Sequence, residues 1–418
     1  MDSRKIFETL FASCLIAALV GGAANARTIH VDDDAAGVND GSSWADAYKY
    51  LQDALNEARS AEKPVEIWVA KGTYRPDLGA GQTRKDRQAA FRLIDAVTLK
   101  GGFAGSGEPD PGARDVDLHE TVLSGDLTGN DVVINDPRKL SGEPTRTENS
   151  YVVVASVKTD KTAVIDGFTI TAGSQHGMYN RRGSPTVANC TFSGNQANCW
   201  GGGMCSENGS PRLSNCTFSR NWAQYGGGLW SLGGTPVLTH CTFTGNSATY
   251  GGGMYNYNNS HPRVINCTFT GNSAKYGGAM YSNNNCRPAV TNCTFTCNVA
   301  NGEGGAMRNI DNCSPTLTNC ILWGNTPDEI VDHFRSSSTV NYSHVRGGRG
   351  KPWFGEGCID ADPLFVGVDD LRLSPDSPCI DAGDNTALPS EITTGLGGNP
   401  RFINGKVDMG AFEAGGSM

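Results

Sequence analysis

Apolar positions along this chain recur at a period far longer than that of one helix or strand. Cys-Thr-Phe stands at Cys190, Cys216, Cys241, Cys267 and Cys293, and Cys-Ile-Leu at Cys320, in steps of 26, 25, 26, 26 and 27 residues. A residue followed by Pro opens each unit, at Ser184, Ser210, Thr235, His261, Arg287 and Ser314. Phe-x-x-Asn follows the Cys, as in Phe192 with Asn195 and Phe269 with Asn272. Glycines then precede an apolar residue at Met204, Leu229, Met254, Met280 and Met307. Inside a unit, Val187 starts an inward register, Asn189 interrupts it, and Cys190 and Phe192 resume it at period two. Asn189, Asn215, Asn266, Asn292 and Asn319 are therefore expected to form a column at a bend, in left-handed backbone, with His240 the one exception.

Thr, Asn, Ser and Gly dominate the units, which disfavours helix. Strands of three to five residues between Gly and Asn turns fit a parallel β-helix, each coil stacked on the next at about 4.8 Å. The fold class expected is all-β, a single-stranded parallel β-helix. Cys190 to Cys320 and the Phe residues should form inward columns. Ala45 to Arg59 carries apolar residues at helical spacing and is expected to be an amphipathic helix closing the open end. Val65 to Ala70 and Ala96 to Phe103 read as early strands, and Ala163 to Ile170 as the coil before the regular ones. Cys358-Ile359-Asp360-Ala361 is echoed by Cys379-Ile380-Asp381-Ala382, as expected of last coils and a cap. The organisation expected is thus a leader at 1–26, an N-terminal cap at 27–64, the β-helix at 65–356 with regular coils at about 164–326, and terminal coils with a cap at 357–418.

Composition narrows the class. The 418 residues are 38% hydrophobic and 18% charged, with 54 Gly that follow no three-residue period, which excludes collagen. A net charge of -9 argues against a nucleic-acid partner. Arg4 and Lys5, the apolar run Phe11 to Val20 and Ala24-Asn25-Ala26 read as a secretory signal, so the mature protein is expected from Arg27, outside the cytoplasm. The apolar run is too short to span a membrane, and no later segment is apolar enough to do so.

The repeats resemble the Gly-Gly-x-Ile and Phe-x-x-Asn repeats of polymorphic outer-membrane proteins, which belong to the pectin-lyase-like class. Gly101-Gly102-Phe103-Ala104-Gly105, Leu123-Ser124-Gly125-Asp126, Ile165 to Ile170 and Ser377 to Asp384 with Met409 to Glu413 look like those of secreted bacterial β-helix proteins. The resemblance implies a right-handed helix, and a secreted, cell-surface, periplasmic or outer-membrane-associated protein. The class hosts lyases, glycosidases, epimerases and adhesins, so it leaves the activity open. The chain departs from autotransported members in ending without a series of ten-residue alternating strands.

Lyases of the class hold Ca²⁺ on clustered carboxylates and its hydrolases use close Asp pairs, but between Thr171 and Pro327 the acids are Glu207, Glu303 and Asp311 alone. A cleavage site would have to use the flanks, Asp115, Asp117, His119, Glu120 and Asp126 early, or Asp328, Glu329, Asp332 and His333 late. Three carboxylates converging within about 5 Å beside an Arg or Lys would favour it. No catalytic or metal-ligating residue is assigned. Asp32-Asp33-Asp34 with Asn39-Asp40 is a low-ranking place for Ca²⁺.

Aromatic columns are more informative. Trp200, Tyr225, Tyr250 and Tyr276 each precede the glycines. Tyr179, Trp230, Tyr255 and Tyr281 each follow the apolar Met or Leu and are expected to point outward. Such rows suit a polysaccharide or cell-surface glycan, and equally suit cross-coil stacking alone. Of 14 cysteines, 13 follow the leader. Cys286 with Cys313 is the best disulfide candidate, Cys358 with Cys379 the next, and Cys199 with Cys205 a third. The leading expectation is a non-enzymatic β-helix for adhesion or polysaccharide binding. A polysaccharide lyase or glycoside hydrolase is the alternative, and a self-associating structural envelope component the second alternative.

Overall fold

The computed structural model describes residues 26–403 and 405–414, so all but the last residue of the expected leader lies outside the described residues. One regular coil shows how the chain is built. Strands Thr186–Ala188, Thr191–Ser193, Gln196–Trp200 and Met204–Glu207 follow one another around the axis, and each pairs in parallel with its counterpart in the next coil. Repetition gives four parallel sheets, which we number in the order of these strands: sheet 1 with eleven strands, sheet 2 with ten, sheet 3 with five and sheet 4 with nine. The protein is a parallel β-solenoid with little helix, as the repeat implies.

Register is kept residue for residue. Phe192 pairs with Phe218, Phe218 with Phe243, Phe243 with Phe269 and Phe269 with Phe295. Their buried rings stack with centroids 4.6–4.7 Å apart and planes within 6°. The Cys190–Cys320 column and the Met178–Met307 column are likewise buried. Asn189, Asn215, His240, Asn266, Asn292 and Asn319 all have φ between +48° and +56°, turning the chain sharply between sheets 1 and 2.

A second Asn column does more. Asn195, Asn221, Asn246, Asn272, Asn298 and Asn325 lie inside the solenoid. Each side-chain amide donates to the carboxamide oxygen of the next, at 2.7–3.1 Å. The same oxygen accepts the backbone N–H of the preceding Asn at 3.0–3.1 Å. The second amide hydrogen goes to a backbone carbonyl, for example Asn246 to Phe218 at 2.8 Å. The ladder ends on Glu329, whose Oε1 accepts the Asn325 N–H at 3.2 Å.

The ends depart from the repeat. The helix is shorter than expected, Leu51–Ser60 rather than 45–59. Residues before it are held otherwise: Tyr48 exchanges backbone hydrogen bonds with His30 and Asp32, and Asp46 accepts from Val38 and Ser43. Its buried face, Leu51, Ala54, Leu55 and Ala58, packs on the first coils. Val65–Ala70 is a strand as read, and the next starts at Val97, because Ala96 is at φ +54°. Arg27–Val31 adds a further strand, paired with Val65–Val69. In the tail, Phe354 and Ile359 extend the stack by isolated parallel bridges. From Ile380 the chain runs back along the bend column. Asn319 donates to the Asp384 carbonyl at 3.0 Å, Asn292 to that of Asp408 at 3.0 Å, and Asn266 to that of Thr394 at 2.9 Å. Arg401 and Glu413 form a buried ion pair inside this strap.

Replacing Asn246 by Ala should strand several buried hydrogen-bonding groups and lower stability by about 3 kcal/mol. Replacing the exposed strand residue Arg212 by Ala should cost less than about 0.5 kcal/mol. Denaturant titration of both variants checks the difference.

Candidate functional site

The glycine turns place the aromatic side chains. Gly226 is at φ +68°, and a Cβ there would meet the Leu229 carbonyl oxygen at 2.4 Å. A Cβ on Gly228 would meet the Gly253 carbonyl oxygen at 2.6 Å. The first glycine of the corner between sheets 3 and 4 is the one the backbone demands, at positive φ in Gly201, Gly226, Gly251, Gly277 and Gly304, whereas the last position is filled by Ala279 and Ala306 in later coils. The corner brings the residue before the glycines and the residue after Leu229 to one outer side. The two columns then pack diagonally. Trp200 lies on Trp230 at 5.4 Å, Tyr225 on Tyr255 at 5.6 Å and Tyr250 on Tyr281 at 5.3 Å. Arg308, next in the register, puts its guanidinium 4.5 Å from the Tyr276 ring centre.

This packing corrects the expected exposure. Trp230, Tyr255 and Tyr281 leave the main core but retain only 3%, 5% and 2% of their surface, because the preceding column covers them. Tyr179, Tyr225, Tyr250 and Tyr276 are half-buried, and Trp200 is 44% exposed. Tyr225 and Tyr250 stack at 5.2 Å with planes 10° apart, and Tyr250 and Tyr276 at 5.6 Å. Within that column the faces meet one another, and edges and hydroxyls meet solvent.

What remains open is a trough of about 520 Å³, lined by Trp200, Tyr225, Trp230, Tyr250, Tyr255, Tyr257, Tyr281, Asn283 and Ile310. The lining contains no acidic or basic side chain, and burial pushes the Tyr281 hydroxyl up to about 12. Asn283 donates to the Tyr255 hydroxyl at 3.3 Å and Arg308 to that of Tyr281 at 3.1 Å. The buried Trp230 Nε1 has no protein acceptor. Charged groups sit beyond the ends. Tyr179 donates to Glu207 at 2.8 Å, and Glu303 binds both Arg308 and His333 at 3.0 Å.

The flanking acids are mostly dispersed. Asp115 accepts from its own turn, Glu120 accepts from Thr169, and Asp332 accepts from Asn309 and Ser338. One cluster does converge: carboxylate oxygens of Asp126, Asp131 and Glu148 lie within 4.8 Å of one another. Arg146 pairs with Asp131 at 2.9 Å. Burial raises the Asp131 carboxyl to about 6, against the donors Asn149 and Arg146. Asp126 is engaged by the backbone N–H groups of Thr128, Gly129, Asn130 and Asp131. Asp131 and Glu148 were missed because they lie in an aperiodic loop; only Asp126 was singled out. Asp32, Asp33 and Asp34 also cluster within 4.8 Å, whereas Asn39 and Asp40 accept from backbone nearby.

All 13 described cysteines are free. Cys286 and Cys313 meet on adjacent coils, with the Cys286 N–H 3.2 Å from Cys313 Sγ. Cys358 and Cys379 belong to different hydrophobic clusters, and Cys199 is exposed while Cys205 is buried.

Residues 147–295 and 180–345 match the family described as right handed beta helix region. Solved structures similar to the chain include pectate lyase Pel9A, at 16% identity, 94% of this chain, 98% of that one and a TM-score of 0.48. Pectin methylesterase PemA from Erwinia chrysanthemi matches at 12% identity over 77% and 90%, with a TM-score of 0.37. A rhamnogalacturonan lyase matches at 11% over 82% and 91%, with a TM-score of 0.34. No curated protein matches. No described helix is long and apolar enough to cross a membrane.

Maleimide treatment of the native protein should label Cys199 and Cys297, the two exposed thiols, and spare the Cys190–Cys320 column. Peptide mass mapping reads the result.

Proposed function

We propose that this chain is a secreted or cell-surface β-helix that binds a polysaccharide along the aromatic trough. The observation that carries the reading is the trough itself, with the Trp230 N–H unpartnered in its wall. A buried donor without an acceptor costs about 1–3 kcal/mol, which a hydroxyl-bearing ligand recovers on binding. Tyrosine hydroxyls and the Asn283 amide supply further polar contacts, and the exposed Trp200 ring supplies an apolar face. The lining carries no charge, so a neutral, hydroxyl-rich chain suits it. The outer-membrane-type repeats suggested by the sequence fit such an exported role.

Trp230→Phe removes the N–H and keeps most of the packing. Retention on the polysaccharide that binds the native protein should fall about tenfold, and Trp200→Ala should weaken it further, with melting temperatures little changed. Unchanged retention of both variants would discard the trough as the site.

A second reading is favoured by one observation, the convergence of Asp126, Asp131 and Glu148 beside Arg146. It makes the protein a polysaccharide-cleaving enzyme with its site in the early loop. Release of unsaturated or reducing ends from acidic polysaccharides, dependent on Ca²⁺ and lost in Asp131→Asn, would establish it. No release with or without Ca²⁺ would remove it.

A further inference from the structure

Two cysteines stand apart from the buried Cys190–Cys320 column. The turn that leaves sheet 4 carries Ser260, Cys286, Cys313 and Ser336 at equivalent places in four successive coils, each after two residues in left-handed backbone. Backbone bonds hold the two cysteines side by side. Asn283 pairs with Ile310 in sheet 4, the Asn285 N–H donates to the Asp311 carbonyl at 2.9 Å, and the Ser314 N–H donates to the Cys286 carbonyl at 3.0 Å. Coils stacked at about 4.8 Å place their Cα atoms within the span of a disulfide, about 4.4–6.8 Å. The Cys286 N–H meets Cys313 Sγ at 3.2 Å, and the Cys313 N–H meets Ser336 Oγ at 3.0 Å in the same way. A serine thus serves this hydrogen bond as a cysteine does, and the column uses serine on either side. Two successive cysteines add what two serines lack, a pair of sulfurs that can join.

The surroundings favour joining here over the long column. Each thiol from Cys190 to Cys320 donates to a carbonyl two residues back in its own coil and lies among apolar core residues. Burial pushes Cys190, Cys216, Cys241, Cys267 and Cys293 well above the usual thiol range, so they stay protonated. The Cys286 thiol is instead held below that range by a hydrogen bond from the Cys313 thiol, against burial. Arg287, Asp311, Asn312 and Ser314 are exposed, so the pair lies one residue beneath the surface.

We propose that Cys286 and Cys313 are a disulfide-forming pair that staples the last two regular coils together. The oxidant is itself a disulfide, of a small molecule or a protein. The Cys286 thiolate attacks one of its sulfurs and releases a first thiol. The Cys313 sulfur, losing its proton, then attacks the Cys286 sulfur and releases a second. Two electrons and two protons leave the pair, and the oxidant's disulfide becomes two thiols. Between the two cysteines runs Val299–Glu303, the last strand of sheet 3, and the Asn ladder stops soon after, at Glu329. The covalent link is supplied where the pairing that holds register runs out. It is separate from the aromatic trough and stands whether or not the trough binds a polysaccharide.

Disulfide exchange followed by mass mapping tests this. The reduced, full mature chain is kept folded with glutathione disulfide in one arm and refolded with it in a second, then alkylated and mapped by peptide fragmentation. Cys286 and Cys313 should be joined to each other in at least one arm, while the exposed Cys199 and Cys297 carry glutathione. If the chain does not refold, the folded arm decides. The joined chain should melt several degrees above the reduced chain. The double substitution Cys286→Ser with Cys313→Ser introduces only the residue type found at 260 and 336, so it should fold, and should melt with the reduced native chain whether or not the oxidant is present. Alkylation of both cysteines in every arm, glutathione left on either, linkage of either to another cysteine, or equal melting of the joined and reduced chains would overturn the proposal. Trp230→Phe should form the link unchanged, so the staple and the trough fail separately.

Discussion

The buried asparagine ladder is the constraint on which the rest depends. Each Asn from Asn195 to Asn298 uses its donors and its acceptor within the solenoid, tying its own coil to the next through two bonds on one carboxamide oxygen. A slip of one residue in any coil would leave several of these groups unpaired in the interior, where each costs about 1–3 kcal/mol. Strands of three residues carry too few ladder bonds to hold register alone. The Asn amides supply that register, and the stacked Phe rings and the packed Cys and Met columns are consequences of it.

The trough follows from the same register. Sheets 3 and 4 meet at a glycine corner, and coil-to-coil alignment sets Trp200 over Trp230 and Tyr225 over Tyr255. The diagonal offset, rather than direct opposition, lets one column roof the other and leave a furrow between them. Where Arg308 takes the place of a ring in this column, the Tyr276 face and the Glu303 carboxylate receive its guanidinium.

Much of this was legible in the sequence, and the failures are physical. The period gave the strands and the bend column because each needs a particular backbone, such as left-handed Asn189. Alternation tells inside from outside of the main core, but it says nothing of a second layer built by neighbours across a turn. Trp230, Tyr255 and Tyr281 were therefore read as exposed when they are covered. The two Asn columns look alike as letters; the bend column stands at positive φ and meets the returning strap, whereas the ladder bonds from coil to coil inside the solenoid. Helical spacing from Ala45 lost to backbone pairing by Tyr48, an instance of tertiary contacts overriding local preference. The Asp126, Asp131 and Glu148 cluster has no period at all, so proximity alone reveals it.

Departures from the columns fall where the solenoid meets something that does not repeat. His240 replaces Asn at the bend, and there its Nε2 lies 3.0 Å from the Thr394 carbonyl of the returning strap. Arg308 replaces an aromatic residue where sheet 3 runs out. Glu329 replaces an Asn where the coil is cut short. An Asn rung is satisfied by identical neighbours on both sides and gains nothing from another group while the repeat continues. At the last rung the pairing has no continuation, and a carboxylate, acceptor-only when ionised and able to donate when protonated, suits a one-sided position. In a solenoid, chemistry beyond stacking is therefore to be sought at its ends and breaks, where a side chain is no longer obliged to serve the coil above and the coil below alike.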